Sequence, residues 1–222
     1  MPVAGPLLGD AVKQMLTGKG VEFHPLHKLT AVDASTRQLS FEGKEPFNYD
    51  LLVAIPPHRG PRLAREAGLT NEAGWVPVDR ATLKTKHENV FALCDATVIP
   101  IPGRWKPDVP LVLPKAGVFA HAQAEVVAHR LAAEIAGAET QRAFFGDGYC
   151  MLEAGEDLAG FAYGNFFAEP SPQIELRQMG WVWHMGKVLF EQWWLTPYGP
   201  RREVLRVALT LGGKGLGIPV VL

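Results

Sequence analysis

The chain has 222 residues, 47% hydrophobic and 20% charged, enough for one large domain or two small ones with a buried core. Its 22 Lys and Arg against 23 Asp and Glu exclude a nucleic-acid partner bound by phosphate neutralisation. Two cysteines, Cys94 and Cys150, cannot build a disulfide framework, which points to a reducing, cytoplasmic compartment, and no run reaches the ~18 apolar residues of a membrane span.

Taken in order, residues 10–19 read as a short helix closed by Gly18 and Gly20. Val21–His24, Lys28–Asp33 and Arg37–Glu42 read as strands, the last two joined by the turn residues Ala34, Ser35 and Thr36. Tyr49–Ile55 is nearly all apolar, the pattern of a strand buried on both faces, and Pro56 and Pro57 end it. Pro61–Ala67 is a short helix. Val90–Thr97 is an apolar strand that delivers Asp95 at its C-terminal end, where open α/β sheets bind ligands. Residues 98–114 carry five prolines without periodicity and read as a loop.

Gly117–Gly137 is the strongest helix, rich in Ala and bracketed by glycines, with apolar or small residues recurring on one face. Tyr149–Ala154 and Gly160–Phe167 follow as two strands of another layer. Trp181, Trp183, Trp193 and Trp194 then fall within 14 positions, where indoles suit either a core or a membrane interface. The glycines from Gly212 to Gly217 lie in a terminal tail, and no G-x-G-x-x-G follows a strand. The first 50 residues resemble a nucleotide-binding domain entered midway, so the sequence reads as the C-terminal portion of a longer protein.

Several residues carry chemistry. A carboxylate at Asp95 accepts charge-assisted hydrogen bonds from sugar or polyol hydroxyls. Lys115, Ala116 and Gly117 open the long helix, whose N-terminal N–H groups and partial positive charge favour an anion. His184, Lys187 and Phe190 recur at helical spacing on one face. Cys150 is a thiol, and a thiolate attacks disulfide or polysulfide sulfur; a lone cysteine is as readily inert packing.

The blocks YDLLVAIPPHRGP (49–61), GWVPVD (74–79), ENVFALCDAT (88–97), LPKAGVFA (113–120), GYCMLEAG (148–155) and WHMGKVLFEQWWL (183–195) occur in an order that resembles a known family. It is that of the FAD-dependent pyridine nucleotide-disulfide oxidoreductases, and within it the C-terminal half of sulfide:quinone oxidoreductase or flavocytochrome c sulfide dehydrogenase. The resemblance implies an α/β fold: part of a Rossmann-like flavoprotein with two dinucleotide-binding domains, plus a C-terminal α+β region. Residues 1–87 would be the remnant of the second nucleotide-binding domain, 88–138 the end of the FAD-binding domain, and 139–222 an acceptor or interface region.

The resemblance also implies roles. Asp95 and Ala96 would hold the ribityl chain of FAD. The family has Gly before this aspartate; here Cys94 stands there. Lys115, Ala116 and Gly117 would face the flavin pyrimidine edge, and Cys150 would take part in sulfur transfer. Lys187 and Phe190 would meet a quinone, with Tyr149 and His184 beside it. His121 occupies the place of a family Glu and would relay protons. The expected partners are a small-molecule donor, a quinone acceptor, a peripheral membrane surface, and either a second copy or an N-terminal half; no metal is expected. Two rivals stand beside this reading: an NAD(P)H-dependent flavin reductase in which Cys150 is a bystander, and a non-catalytic subunit that complements another chain.

Overall fold

The computed structural model describes residues 5–218, which separate into two compact units, residues 5–59 and the remainder from Gly60 onward. In the first unit, helix α1 (Gly5–Gly18) precedes a three-stranded antiparallel sheet, β1 (Leu29–Asp33), β2 (Gln38–Phe41) and β3 (Lys44–Asn48), in the order β1-β2-β3. Gly20, with φ of 75°, follows the end of α1 in the left-handed conformation that glycine tolerates. The β1–β2 turn is held by Asp33, whose Oδ1 accepts from Ser35 N at 2.8 Å, Ser35 Oγ at 2.6 Å and Thr36 N at 3.2 Å. These bonds, the Ser35 hydroxyl foremost, hold its pKa down at about 2.

Two expectations for this unit are corrected. Val21–His24 forms no strand. Tyr49–Ile55 is also irregular, and Leu51, Val53 and Ile55 are exposed by 82–86%. An apolar run becomes a buried strand only when neighbouring strands pair with it; Tyr49 N still donates to Arg37 O (2.9 Å), but among the described residues no strand ladder includes residues 50–55. β3 was not foreseen, because Lys44, Glu45, Pro46 and Asn48 mask its pattern; as an edge strand it tolerates Pro46.

The second unit begins with the short helix α2 (Arg62–Glu66). Residues 74–97 form an irregular layer tied by Val76 N to Ala96 O (3.0 Å) and Thr85 N to Val90 O (3.0 Å). The expected Asp95 strand is absent: Cys94–Ala96 is a single 3₁₀ turn. The expected 98–114 loop is instead an antiparallel ribbon, β4 (Pro100–Lys106) and β5 (Val109–Val112). Of its prolines, Pro102 falls where the register shifts between Ile101 and Arg104, and Pro100 and Pro110 lie on strands that are both edges of a two-stranded sheet, where proline is tolerated.

Helix α3 (Gly117–Ile135) buries Phe119, Gln123 and Val126, a stripe at helical spacing. With Leu83, Ile99, Ile101, Leu111, Leu113 and Phe144, its two apolar members make the first core. Residues 74–87 thus pack within this unit, beyond the unit boundary at Arg59 and Gly60.

An antiparallel meander follows: β6 (Asp147–Gly155), β7 (Leu158–Asn165) and β8 (Gln173–Gly180). Helix α4 (Trp181–Leu195) packs on β7, and helix α5 (Pro200–Gly215) packs on α4. Ala159, Phe161 and Trp183 form the second core, with the Phe161 and Trp183 rings stacked at 4.9 Å. In the glycine-rich terminal tail, Gly212, Gly213 and Gly215 lie inside α5, and Gly213 is buried. The mixed helix and strand content is that of the expected α/β class, although every described strand ladder is antiparallel.

Candidate functional site

The Asp95 turn is held from two sides. On one side the buried side chain of Gln123 accepts from Cys94 N at 2.7 Å. On the other, Lys115 Nζ donates to Thr97 O (2.5 Å), Cys94 O (3.3 Å) and Asp95 O (3.4 Å), while lying 4.0 Å from the Trp75 ring centroid. An ammonium has three N–H bonds, and these three carbonyls take them. Burial lowers the Lys115 pKa, partly opposed by the Asp95 carboxylate. Cys94 has φ of 43°, a left-handed conformation that suits glycine. The Asp95 side chain stays exposed; its Oδ1 lies 3.4 Å from Cys94 Sγ.

A cleft of about 450 Å³ opens beside the start of α3. Ala116, Gly117, Tyr149, Cys150, Lys187 and Phe190 all line it, so six of the residues singled out from sequence meet at one place. The helix begins at Ala116 with no side-chain cap, leaving first-turn N–H groups and the positive end of the helix dipole facing the cleft. Opposite, β6 presents Tyr149 and Cys150, and α4 presents Lys187, Phe190, Glu191 and Trp194. The Phe190 ring stacks 5.9 Å from Trp194 and meets Tyr149 edge-on at 6.1 Å. Burial pushes the Tyr149 hydroxyl up to about 12, so it remains protonated, and pushes the Cys150 thiol up as well.

A row of charges runs from the cleft to solvent along α4 and the β6–β7 turn. Lys187 pairs with Glu191 and lies 3.7 Å from Glu153 Oε1. His184 Nδ1 is 3.0 Å from Glu153 Oε2, and its Nε2 is 3.5 Å from the exposed Asp157. The hydrogen bond to Glu191, reinforced by the charge of Glu153, raises the Lys187 pKa. Lys187 is therefore a cation at neutral pH.

Asp95, Ala96, Lys115, His121 and His184 do not line the cleft. His121 lies on the second turn of α3, edge-on to the Trp194 ring at 5.1 Å and lining a different hollow with Glu125 and Asp147. Sequence reasoning missed Gln123, Glu153 and Glu191, and read Trp194 only as one of an aromatic cluster suited to a core or an interface. Gln123 left a signal, a polar residue on the apolar stripe of α3. Glu153 and Glu191 had none, because only the packing of α4 on the sheet sets Glu153 beside His184 and Lys187 and brings Glu191 to the cleft.

The model of the pyridine nucleotide-disulphide oxidoreductase family matches residues 1–126. The chain is 29% identical over 98 residues to the mitochondrial sulfide:quinone oxidoreductase of Mus musculus, covering 41% of this chain and 22% of that protein. It is 28% identical over 144 residues to the sulfide-quinone reductase of Aquifex aeolicus (strain VF5), covering 64% of this chain and 33% of that one. The matched stretches thus span a third or less of these relatives' length. The solved structure of the sulfide:quinone oxidoreductase from Aquifex aeolicus has the same fold, with a TM-score of 0.70 at 22% identity over 84% of this chain and 44% of that one.

Proposed function

Because this chain belongs to the pyridine nucleotide-disulphide oxidoreductase family, we propose that it forms the flavin-ring and acceptor part of an FAD-dependent oxidoreductase of sulfide:quinone type. The observation that carries the reading is the cleft where the open start of α3 faces Cys150, Lys187 and Phe190. The cleft suits the ring end of FAD: a Cβ built on Gly117 would meet nothing within 4 Å, and uncapped N–H groups stand beside that space. The ADP end would be taken by a strand–Gly-rich turn–helix unit from another segment or chain, because no such unit occurs in this sequence.

Bound FAD supplies two-electron transfer between donor and acceptor. The chain's own residues do the rest. Asp95 would accept from ribityl hydroxyls, and the α3 N-terminus would favour negative charge at the ring edge. Cys150 meets the sulfur donor: hydrogen sulfide loses two electrons and two protons to become zero-valent sulfur, and the quinone gains two of each. Phe190 offers its face to the quinone ring. Lys187, kept charged by Glu191 and Glu153, holds a proton beside it. Among the described residues no helix is long and apolar enough to cross a membrane. A quinone acceptor places the chain against a membrane surface, a reading supported by the exposed Trp181, Trp194 and Leu195 of α4.

One observation favours the rival NAD(P)H-dependent reductase: desolvation raises the Cys150 pKa, which lowers the thiolate fraction that sulfur chemistry draws on. Cys150→Ser in the FAD-loaded protein separates the two. The sulfide reading expects loss of sulfide-dependent quinone reduction with flavin content retained. Undiminished sulfide turnover would remove Cys150 from the chemistry, and NADH-driven turnover in both proteins would establish the rival.

A further inference from the structure

We propose that Gln123 is a positioning residue that, opposite Lys115, clamps the Cys94–Thr97 turn with Cys94 in the left-handed region and thereby aims the Asp95 carboxylate. The cofactor side of this inference rests on the proposed role of Asp95 toward flavin. The clamp itself does not.

The turn has a conformational problem to solve. Cys94 sits at φ of 43°, in the left-handed region that glycine, and to a lesser degree Asn and Asp, tolerate and that its Cβ makes unfavourable. Its own backbone–backbone bonds are two, Ala96 N to Leu93 O (3.1 Å) and Thr97 N to Cys94 O (3.0 Å), and the Thr97 hydroxyl also donates to Cys94 O (3.0 Å). Those two bonds leave the Cys94 N–H without a backbone partner. Gln123 supplies the acceptor at 2.7 Å from a position that is 0% exposed. Solvent does not reach the Gln123 side chain, so water does not replace its oxygen without opening the core.

The amide orientation is also set. Gln123 Nε2 has no partner among the described residues, and flipping the amide would turn a donor onto the Cys94 donor. The acceptor is therefore the half of the side chain that matters here. The carbonyl side of the turn is satisfied at the same time by the Lys115 ammonium. Both clamping groups come from one short stretch, Lys115 just ahead of α3 and Gln123 two turns into it. The helix whose start faces the cleft thus also sets the direction of the Asp95 side chain.

The test compares Gln123→Met, which keeps size and removes the acceptor, with Gln123→Glu, which keeps an acceptor oxygen and removes the unpartnered amide. Hydrogen exchange of the Cys94 amide is followed by NMR on the 222-residue chain. The expected result is at least about a tenfold loss of Cys94 protection in Gln123→Met, the size of one buried hydrogen bond left unmade. Protection returns in Gln123→Glu, while the amides of α3 stay unchanged in both. Equal Cys94 protection in Gln123→Met and wild type overturns the clamp, as does failure of Gln123→Glu to restore it.

A second arm titrates FAD by fluorescence quenching, with Asp95→Ala as the reference for loss of the contact. Weakening by Gln123→Met in step with Asp95→Ala supports the aiming role. Weakening by Asp95→Ala alone overturns that role and leaves the flavin reading standing. If neither variant moves the affinity, the flavin reading at Asp95 fails, and the exchange arm still decides the clamp.

Discussion

Gly148 sets how closely β6 approaches α3, and Gly148→Ala tests whether that approach builds the cleft. A Cβ built on Gly148 would lie 2.6 Å from Cζ of Phe119 and closer still to its Cε1. Carbon atoms at rest are about 3.5–4.0 Å apart, so one side must yield by roughly an ångström. Phe119 is 3% exposed and fixed edge-on by Phe144 (6.2 Å) and Phe166 (4.9 Å), so its ring has nowhere to go. Overpacking of a tight core costs typically 1–3 kcal/mol, and this overlap belongs at the upper end. Reduced freedom of the unfolded chain returns about 0.4–1 kcal/mol, leaving a net loss of about 2 kcal/mol. For a unit of this size that corresponds to a fall in Tm of roughly 4–8 °C.

Tryptophan fluorescence is the right readout, because all six tryptophans lie beyond Gly60 and report only the second unit. Adding Phe119→Leu should recover part of the loss from Gly148→Ala, since the branched side chain vacates the ring position. The cleft should respond too, with the Cys150 thiol reacting at a changed rate as β6 moves away from α3. An unchanged Tm in Gly148→Ala would refute the tight β6–α3 contact and with it the geometry assigned to the cleft.

Three further outcomes are expected. Gly164→Ala would place a Cβ 2.8 Å from Ile174 Cα, so it should loosen the β7–β8 pairing and lower stability by about 1–3 kcal/mol, read by chemical denaturation. The Asp33 carboxyl should titrate near 2 by NMR; its folded pKa lies below the unfolded value, so its support of the first unit is present above pH 3.8 and lost as pH falls through about 2. Phe190→Ala removes the ring shared by Tyr149, Trp193 and Trp194, and should cost about 2 kcal/mol of stability and raise KM for quinone more than it lowers kcat.

Local patterns in the sequence determined those elements that local chemistry governs. Alanine content and flanking glycines marked α3, the alternating residues between turn signals marked β1, β2, β6 and β7, and the i, i+3 spacing of His184, Lys187 and Phe190 marked α4. The family blocks brought Ala116, Gly117, Tyr149, Cys150, Lys187 and Phe190 to notice together, and the fold gathers those six at one cleft. Only the tertiary structure decided the rest. Tyr49–Ile55 has the composition of a buried strand, but burial is a property of neighbours, and beyond Tyr49 no described strand ladder includes it. The proline-rich 98–114 segment pairs because β4 and β5 supply each other's partners across bulges, which a single-strand pattern does not encode. Lys115 was legible as a cation at a helix start, yet the carbonyls it satisfies come from residues 94–97, which reach it only when the chain folds back. The acceptor for the Cys94 amide lies 29 positions away in Gln123, and a hydrogen bond at that separation leaves no trace in local pattern because the packing of α3 against the turn creates it.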